Sequence, residues 1–138
     1  MRILARREHS VAQIKRKLSQ RGHSAETATE VVESLTESGF QSDSRFAETL
    51  ARSRANQGYG PLRISAELKE ARVPDAEIRA AFEALECDFA ELAIQARERK
   101  FGAVPERGEA WQKQYRFLAT RGFDSDQIRA ALKGEPQD

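Results

Sequence analysis

Apolar side chains recur along this chain at helical intervals, most regularly between Gly39 and Leu85. Phe46, Ala47 and Leu50 fall at i, i+1 and i+4 behind Asp43, which reads as an N-cap, and the helix they define is expected to stop near Gly58. Gly60-Pro61 restarts the chain, because proline's fixed φ and missing N–H suit a first helical position. Ile64 and Leu68 stripe that second helix. Pro74 and Asp75 open a third, where Ile78, Ala81, Phe82 and Leu85 sit at i, i+3, i+4 and i+7.

The flanks follow the same grammar. Residues 1–8 read as the remnant of a first helix. Ser10 then caps a helix striped by Val11, Ile14 and Leu18 that ends at Gly22, and Ser24 caps one striped by Ala28, Val31, Val32 and Leu35. Past Gly39-Phe40 and the central stretch, residues 87–103 turn Phe89, Leu92, Ala93 and Ala96 inward. Gly102 to Gly108 is the longest loop and the expected hinge. Trp111, Tyr115 and Leu118 stripe the next helix, Gly122 stops it, and Asp124 or Ser125 caps a short last helix ending near Lys133-Gly134, before a frayed GEPQD tail.

Three positions reveal a repeat: Leu18, Leu68 and Leu118 stand fifty residues apart. Four residues on come Gly22, Arg72 and Gly122, then His23, Val73 and Phe123, and further along Ala28, Ile78 and Ile128 align. One helix–turn–helix element is used three times, with its weakest match in the first copy. The expected fold is all-α: an elongated array of three tandem three-helix repeats over 1–40, 41–86 and 87–138, the first of them truncated.

Composition agrees with thin units. Apolar residues make up 39% of the 138, but 21 of them are alanine, too few large side chains for one deep core with a pocket. The net charge of +1 hides an alternation: residues 1–22 carry +6, 23–50 −5, 51–72 +3, 73–96 −5, 97–121 +4 and 122–138 −2. Each repeat's middle helix and its approach are therefore basic and its last helix acidic. Solvated helix surface explains any one block. Three blocks in phase also fit an electropositive stripe. No apolar run reaches the roughly 20 residues of a membrane span, and the N-terminus lacks an apolar signal core. One cysteine rules out an internal disulfide and fits a reducing cytoplasm.

No catalytic, metal or cofactor constellation is present. His9 and His23 have neither a cysteine partner nor a metal-binding spacing, so His9 reads as a surface residue and His23 as a turn residue. Cys87 has no activating pattern and reads as a small buried or half-buried side chain. Tyr59 and Trp111 are either core residues or exposed anchors for a protein partner.

Several segments resemble the RecX family of regulatory proteins: RREHS, then I-x-x-K-L-x-x-R-G over 14–22, SDSRFA over 42–47, GYGPLRI over 58–64 and YRFLATRGF over 115–123. Ala71-Arg72-Val73 departs from the family's usual glycine-plus-apolar turn. The resemblance implies a monomeric, non-enzymatic protein that binds along the groove of the RecA–DNA filament and limits filament growth and recombinase, ATPase and coprotease activity. The residues read as contacting that partner are basic ones leading into the turns, with Tyr59. They are Arg6, Arg7, Lys15, Arg16, Lys17 and Arg21 in the first repeat, Arg52, Arg54 and Arg63 in the second, and Arg97, Lys100, Lys113 and Arg116 in the third. The same side chains could make weak, sequence-neutral DNA contact. A helix–turn–helix DNA-binding protein is the alternative, opposed by acidic residues (Glu26, Glu30, Glu33; Asp75, Glu77, Glu83) where a recognition helix would lie. A pure scaffold is the third reading.

Overall fold

The computed structural model describes residues 9–37 and 42–133. Regular structure among them is entirely α-helical: α1 (Val11–Gln20), α2 (Ala25–Glu37), α3 (Asp43–Asn56), α4 (Pro61–Glu70), α5 (Asp75–Leu85), α6 (Phe89–Phe101), α7 (Glu109–Thr120) and α8 (Ser125–Ala131). The expected first-helix remnant, the Gly39-Phe40 boundary and the frayed tail lie outside the described residues.

Most helix starts are set by the side chains expected to set them. Ser10 and Gln13 form a reciprocal capping box on α1, as Asp124 and Gln127 do on α8. The Ser24 hydroxyl accepts from the Thr27 amide at 3.1 Å; α6, for which no cap was expected, starts at Asp88, whose carboxylate accepts from the Glu91 amide at 3.1 Å. Pro61 takes the first position of α4. Asp43 is a correction. Ser42 caps α3, its hydroxyl accepting from the Arg45 amide at 3.1 Å, while the Asp43 carboxylate reaches back to accept from the Val11 amide at 3.0 Å. Asp43 therefore satisfies an orphan donor on α1.

The turn at the end of each repeat's middle helix is the same object three times. The amides of His23, Val73 and Phe123 donate to the carbonyls of Leu18, Leu68 and Leu118 at 3.0, 3.0 and 3.2 Å. Those of Gly22, Arg72 and Gly122 donate to Ser19, Lys69 and Ala119 at 3.0, 2.9 and 3.1 Å. This is the two-bond closure that ends a helix through a left-handed residue, and φ at that residue is +90°, +60° and +98°. Arg72 holds a conformation its Cβ disfavours because the closure demands it.

The chain divides into two compact units, both of which cut across the repeats. The first joins residues up to Ala51 with Glu67–Leu85. One core cluster in it is Ile14, Leu18, Ala28, Val32 and Leu35, with α1 lying on α2. Here the Ser10 hydroxyl donates to the Ala71 carbonyl at 2.8 Å, so the start of α1 is fastened to the turn between α4 and α5. The second unit joins Arg52–Ala66 with the chain from Glu86 onward. Its core holds Ala93, Trp111, Leu118, Phe123, Ile128 and Leu132, with α6 lying chiefly on α8. Here the amides of Gly60 and Leu62 donate to the carbonyls of Arg121 and Gly122, both at 2.9 Å. Ser10 and Ala71 are 61 residues apart, as are Gly60 and Arg121: one joint, made twice at the repeat spacing.

At the second joint the two backbones are in close contact, which the free turn at Gly22 lacks. A Cβ on Gly60 would lie 2.4 Å from the Gly122 carbonyl oxygen, and one on Gly122 would lie 2.5 Å from the Arg63 Cβ and 2.7 Å from its backbone nitrogen. A Cβ on Gly22 would meet nothing within 4 Å. Gly22→Ala is expected to lose about 1 kcal/mol of stability from the left-handed backbone alone. Gly122→Ala should lose about 1–3 kcal/mol more, because rigid backbone must also move aside. Denaturant midpoints of the two variants test this, and equal losses would contradict the joint.

Candidate partner-binding surface

The most distinctive exposed chemistry lies in the second unit, around Tyr59. Helix α3 ends through Gly58 (φ +85°), with the Gly58 and Tyr59 amides donating to the Ala55 and Arg54 carbonyls, both at 3.0 Å. This closure carries Tyr59 off the helix axis, half-buried, just before α4 begins. Arg63, on the first turn of α4, sets its guanidinium 4.2 Å from the ring centroid. Arg121, following α7, sets its own 4.3 Å from the same centroid. The Arg121 Nη2 also donates to the Gln57 carbonyl at 3.0 Å, which fixes the approach, while its Nε is buried without a hydrogen-bond partner. A cation over an aromatic face is worth about 0.5–1 kcal/mol at exposed sites. Two guanidinium groups thus lie against the Tyr59 ring, and guanidinium edges suit the paired oxygens of a carboxylate or phosphate.

The other expected contact residues are spread along both units. Lys15, Arg16 and Arg21 are exposed on and just after α1, Arg52 on α3, and Lys113 and Arg116 on α7. The last two border a shallow groove of about 610 Å³ with Glu109, Ala110 and Gln112. Arg54 is partly buried, and the Lys100 ammonium lies 5.9 Å from the Phe117 ring. Arg6 and Arg7 lie outside the described residues.

Arg97 is a correction. It is 5% exposed, its Nε donates to the Ala131 carbonyl at 2.9 Å, and its Nη1 donates to the Gly102 carbonyl. Both acceptors lie at helix C-terminal ends, where a cation is favourable, so Arg97 ties α6 to the end of α8 and is not surface. His9 is another correction. It is 1% exposed at the first joint, with Nε2 accepting from the Lys17 ammonium at 3.1 Å. Lys17 is thereby partly engaged inside the fold. Trp111, 2% exposed, is core, with Arg107 4.3 Å over its ring. Arg121 was missing from the expected set, although its register with Arg21 marks it.

The acidic residues that oppose a recognition-helix role are largely on the surface: Glu26, Glu30 and Glu33 on α2, and Asp75 and Glu83 on α5, are exposed. Glu77 accepts from the Ser44 hydroxyl.

Three family models match the chain in order: RecX first three-helix domain over residues 1–35, second over 42–81 and third over 86–132. The chain belongs to the RecX family. It is 45% identical to the regulatory protein RecX of Stenotrophomonas maltophilia strain K279a, over 99% of this chain and 84% of that one. It is 42% identical to that of Halorhodospira halophila, over 100% and 86%. Among solved structures, a crystal structure of regulatory protein RecX superposes with a TM-score of 0.80 at 24% identity, over 97% of this chain and 69% of that one. RecX from Lactobacillus salivarius superposes at 0.79 and 20%, over 96% and 88%. These likenesses show the shared fold.

In this RecX-family chain Cys87 is half-buried, and burial, then the neighbouring Asp88 carboxylate, raise its thiol above the ordinary value, which disfavours the nucleophilic thiolate. No helix among the described residues is long and apolar enough to cross a membrane. The reassignment of Arg97 is testable. Arg97→Ala should lower stability by about 2–3 kcal/mol by removing a charged donor from buried carbonyls, read as a shift in the denaturant midpoint. A change within error would return Arg97 to the surface set.

Proposed function

We propose that this RecX-family chain docks on the RecA–DNA filament, along its groove, and limits filament growth and the recombinase, ATPase and coprotease activities that depend on it. It works as a single chain in the cytoplasm, needs no cofactor and catalyses no reaction. The observation that carries this reading is membership, over nearly the whole chain, of a family whose members are named regulatory proteins.

The surface chemistry supports docking over catalysis. Exposed cations recur on the middle helices, with Arg16 and Arg116 at the same repeat position, as are Arg63 and Lys113. Such recurrence suits a partner that is itself repetitive, because several weak contacts made together give a useful affinity. The same cations make weak, sequence-neutral contact with filament DNA. Groove-reading by the last helix of a repeat is disfavoured, since α2 and α5 present carboxylates that phosphates would repel.

The test is RecA's single-stranded-DNA-dependent ATPase with this protein added well below one copy per protomer, and naked-DNA binding measured at the same salt. Inhibition with weak DNA binding is the expected result. Tight, salt-dependent DNA binding without inhibition would instead favour a DNA-binding protein. Reversing Lys15, Arg16 and Arg63 to Glu together should weaken inhibition roughly tenfold, three screened charges at about 0.5 kcal/mol each amounting to one decade. Helicity should be unchanged, and unaltered inhibition by the folded variant would rule out the basic surface as the contact.

A further inference from the structure

The turn after each repeat's middle helix closes through a left-handed residue, and the three copies fill that position differently. Two use glycine, Gly22 and Gly122, whose missing Cβ suits the conformation. The central copy uses Arg72, at φ +60°. Glu86 and Lys133 also have positive φ, but their counterparts Thr36 and Glu83 lie inside helices, so no copy offers a glycine for comparison. At Arg72 the chain itself displays the unstrained alternative and departs from it.

Nothing inside the fold accounts for the departure. Ala71 and Val73, on either side, are each 4% exposed, while Arg72 is exposed. Three hydrogen bonds pin the turn: the Arg72 amide to the Lys69 carbonyl at 2.9 Å, the Val73 amide to Leu68 at 3.0 Å, and the Ser10 hydroxyl to Ala71 at 2.8 Å. The first two join backbone to backbone and form equally around Gly22 and Gly122. The Arg72 guanidinium makes no hydrogen bond, ion pair or ring contact among the described residues, although Glu70 and Asp75 flank it in sequence. A strained backbone that supports nothing within the fold points to work done outside it.

The surroundings fit a protein. Pro74 and Ala76 are exposed and offer apolar area, while Glu70 and Asp75 are exposed carboxylates. Those carboxylates would repel a phosphate strand. A protein surface of mixed charge tolerates them, and arginine is enriched at protein interfaces. Its paired N–H groups match both oxygens of one carboxylate. Because the turn is already pinned, the backbone needs no further ordering on contact.

We propose that the α4–α5 turn is a protein-docking point, in which Arg72 seats a carboxylate of the partner and Pro74 and Ala76 meet apolar surface beside it. The inference rests on the function proposed above, which makes that partner the protein of the RecA–DNA filament. The left-handed backbone carries the guanidinium outward between two buried neighbours and lowers stability in doing so.

Two variants separate side chain from backbone. Arg72→Gly removes the guanidinium and the strain, whereas Arg72→Ala removes the guanidinium and keeps the strained Cβ. The denaturant midpoint is expected to rise in Arg72→Gly and to stay near that of the unaltered protein in Arg72→Ala. Both should lose affinity for the filament equally, roughly tenfold, with naked single-stranded-DNA binding unchanged. Unchanged filament affinity in Arg72→Ala overturns the proposal, because a loss confined to Arg72→Gly would come from backbone freedom. A midpoint below that of the unaltered protein in Arg72→Gly overturns it too, since the guanidinium would then be holding the fold. So does a matching loss on naked DNA, which would make this a phosphate contact. If the unaltered protein does not bind the filament, the proposed function fails and this inference falls with it. If it binds and both variants match it, this inference alone falls.

Discussion

A helix that ends inside a protein leaves carbonyl groups without partners, and a helix that begins there leaves amides. Both kinds of orphan must be satisfied. This chain pairs them across its repeats. The turn after α7 presents the Arg121 and Gly122 carbonyls, and the start of α4 brings the Gly60 and Leu62 amides to meet them at 2.9 Å. In the first unit the Ser10 hydroxyl does the same for the Ala71 carbonyl. The left-handed residue at each turn aims those carbonyls outward, so local geometry and repeat-to-repeat contact are one constraint. It also explains why the compact units straddle the repeats instead of coinciding with them. Each unit is built around a joint.

Much of this was legible in the sequence because it rests on local rules. Helix starts at Ser10, Ser24, Pro61 and Asp124, and turns at Gly22, Gly58 and Gly122, follow from capping chemistry and backbone conformation. The fifty-residue register located the buried leucines Leu18, Leu68 and Leu118. The misses are long-range. Ser42 and Asp43 are both good caps, and only the Val11 amide across the unit decides between them. His9 looks polar and terminal until α1 is fastened to the α4–α5 turn, which buries it. Arg97 was read with the cationic Lys100, yet it falls four residues after Ala93 on the buried stripe, a spacing that carried the signal.

At the candidate surface the same division holds. Tyr59 and Arg63 stood out because they sit in a turn rich in glycine and cations. Arg121, the second guanidinium against the Tyr59 ring, comes from 62 residues later than Tyr59 and is brought there by the joint. Leu62, two residues before Ile64, falls off the Ile64–Leu68 stripe, and its exposure agrees with that register. The fold thus brings Tyr59, Arg63 and Arg121 together at the place where two repeats meet. The alternation of charge along the chain then acquires a structural meaning: cations gather on the helices that lead into and out of joints, and carboxylates on α2 and α5, which close the repeats.

The most direct test of this organisation is native-state hydrogen exchange at the Gly60 and Leu62 amides. Amides in the first turn of a helix ordinarily exchange freely, because they have no partner within the helix. If the joint is as described, these two are protected to the level of the second unit's core and exchange only when that unit opens. Exchange as rapid as at an open helix start, such as the first turn of α7 behind the uncapped Gly108, would mean that the repeats are not joined through these carbonyls.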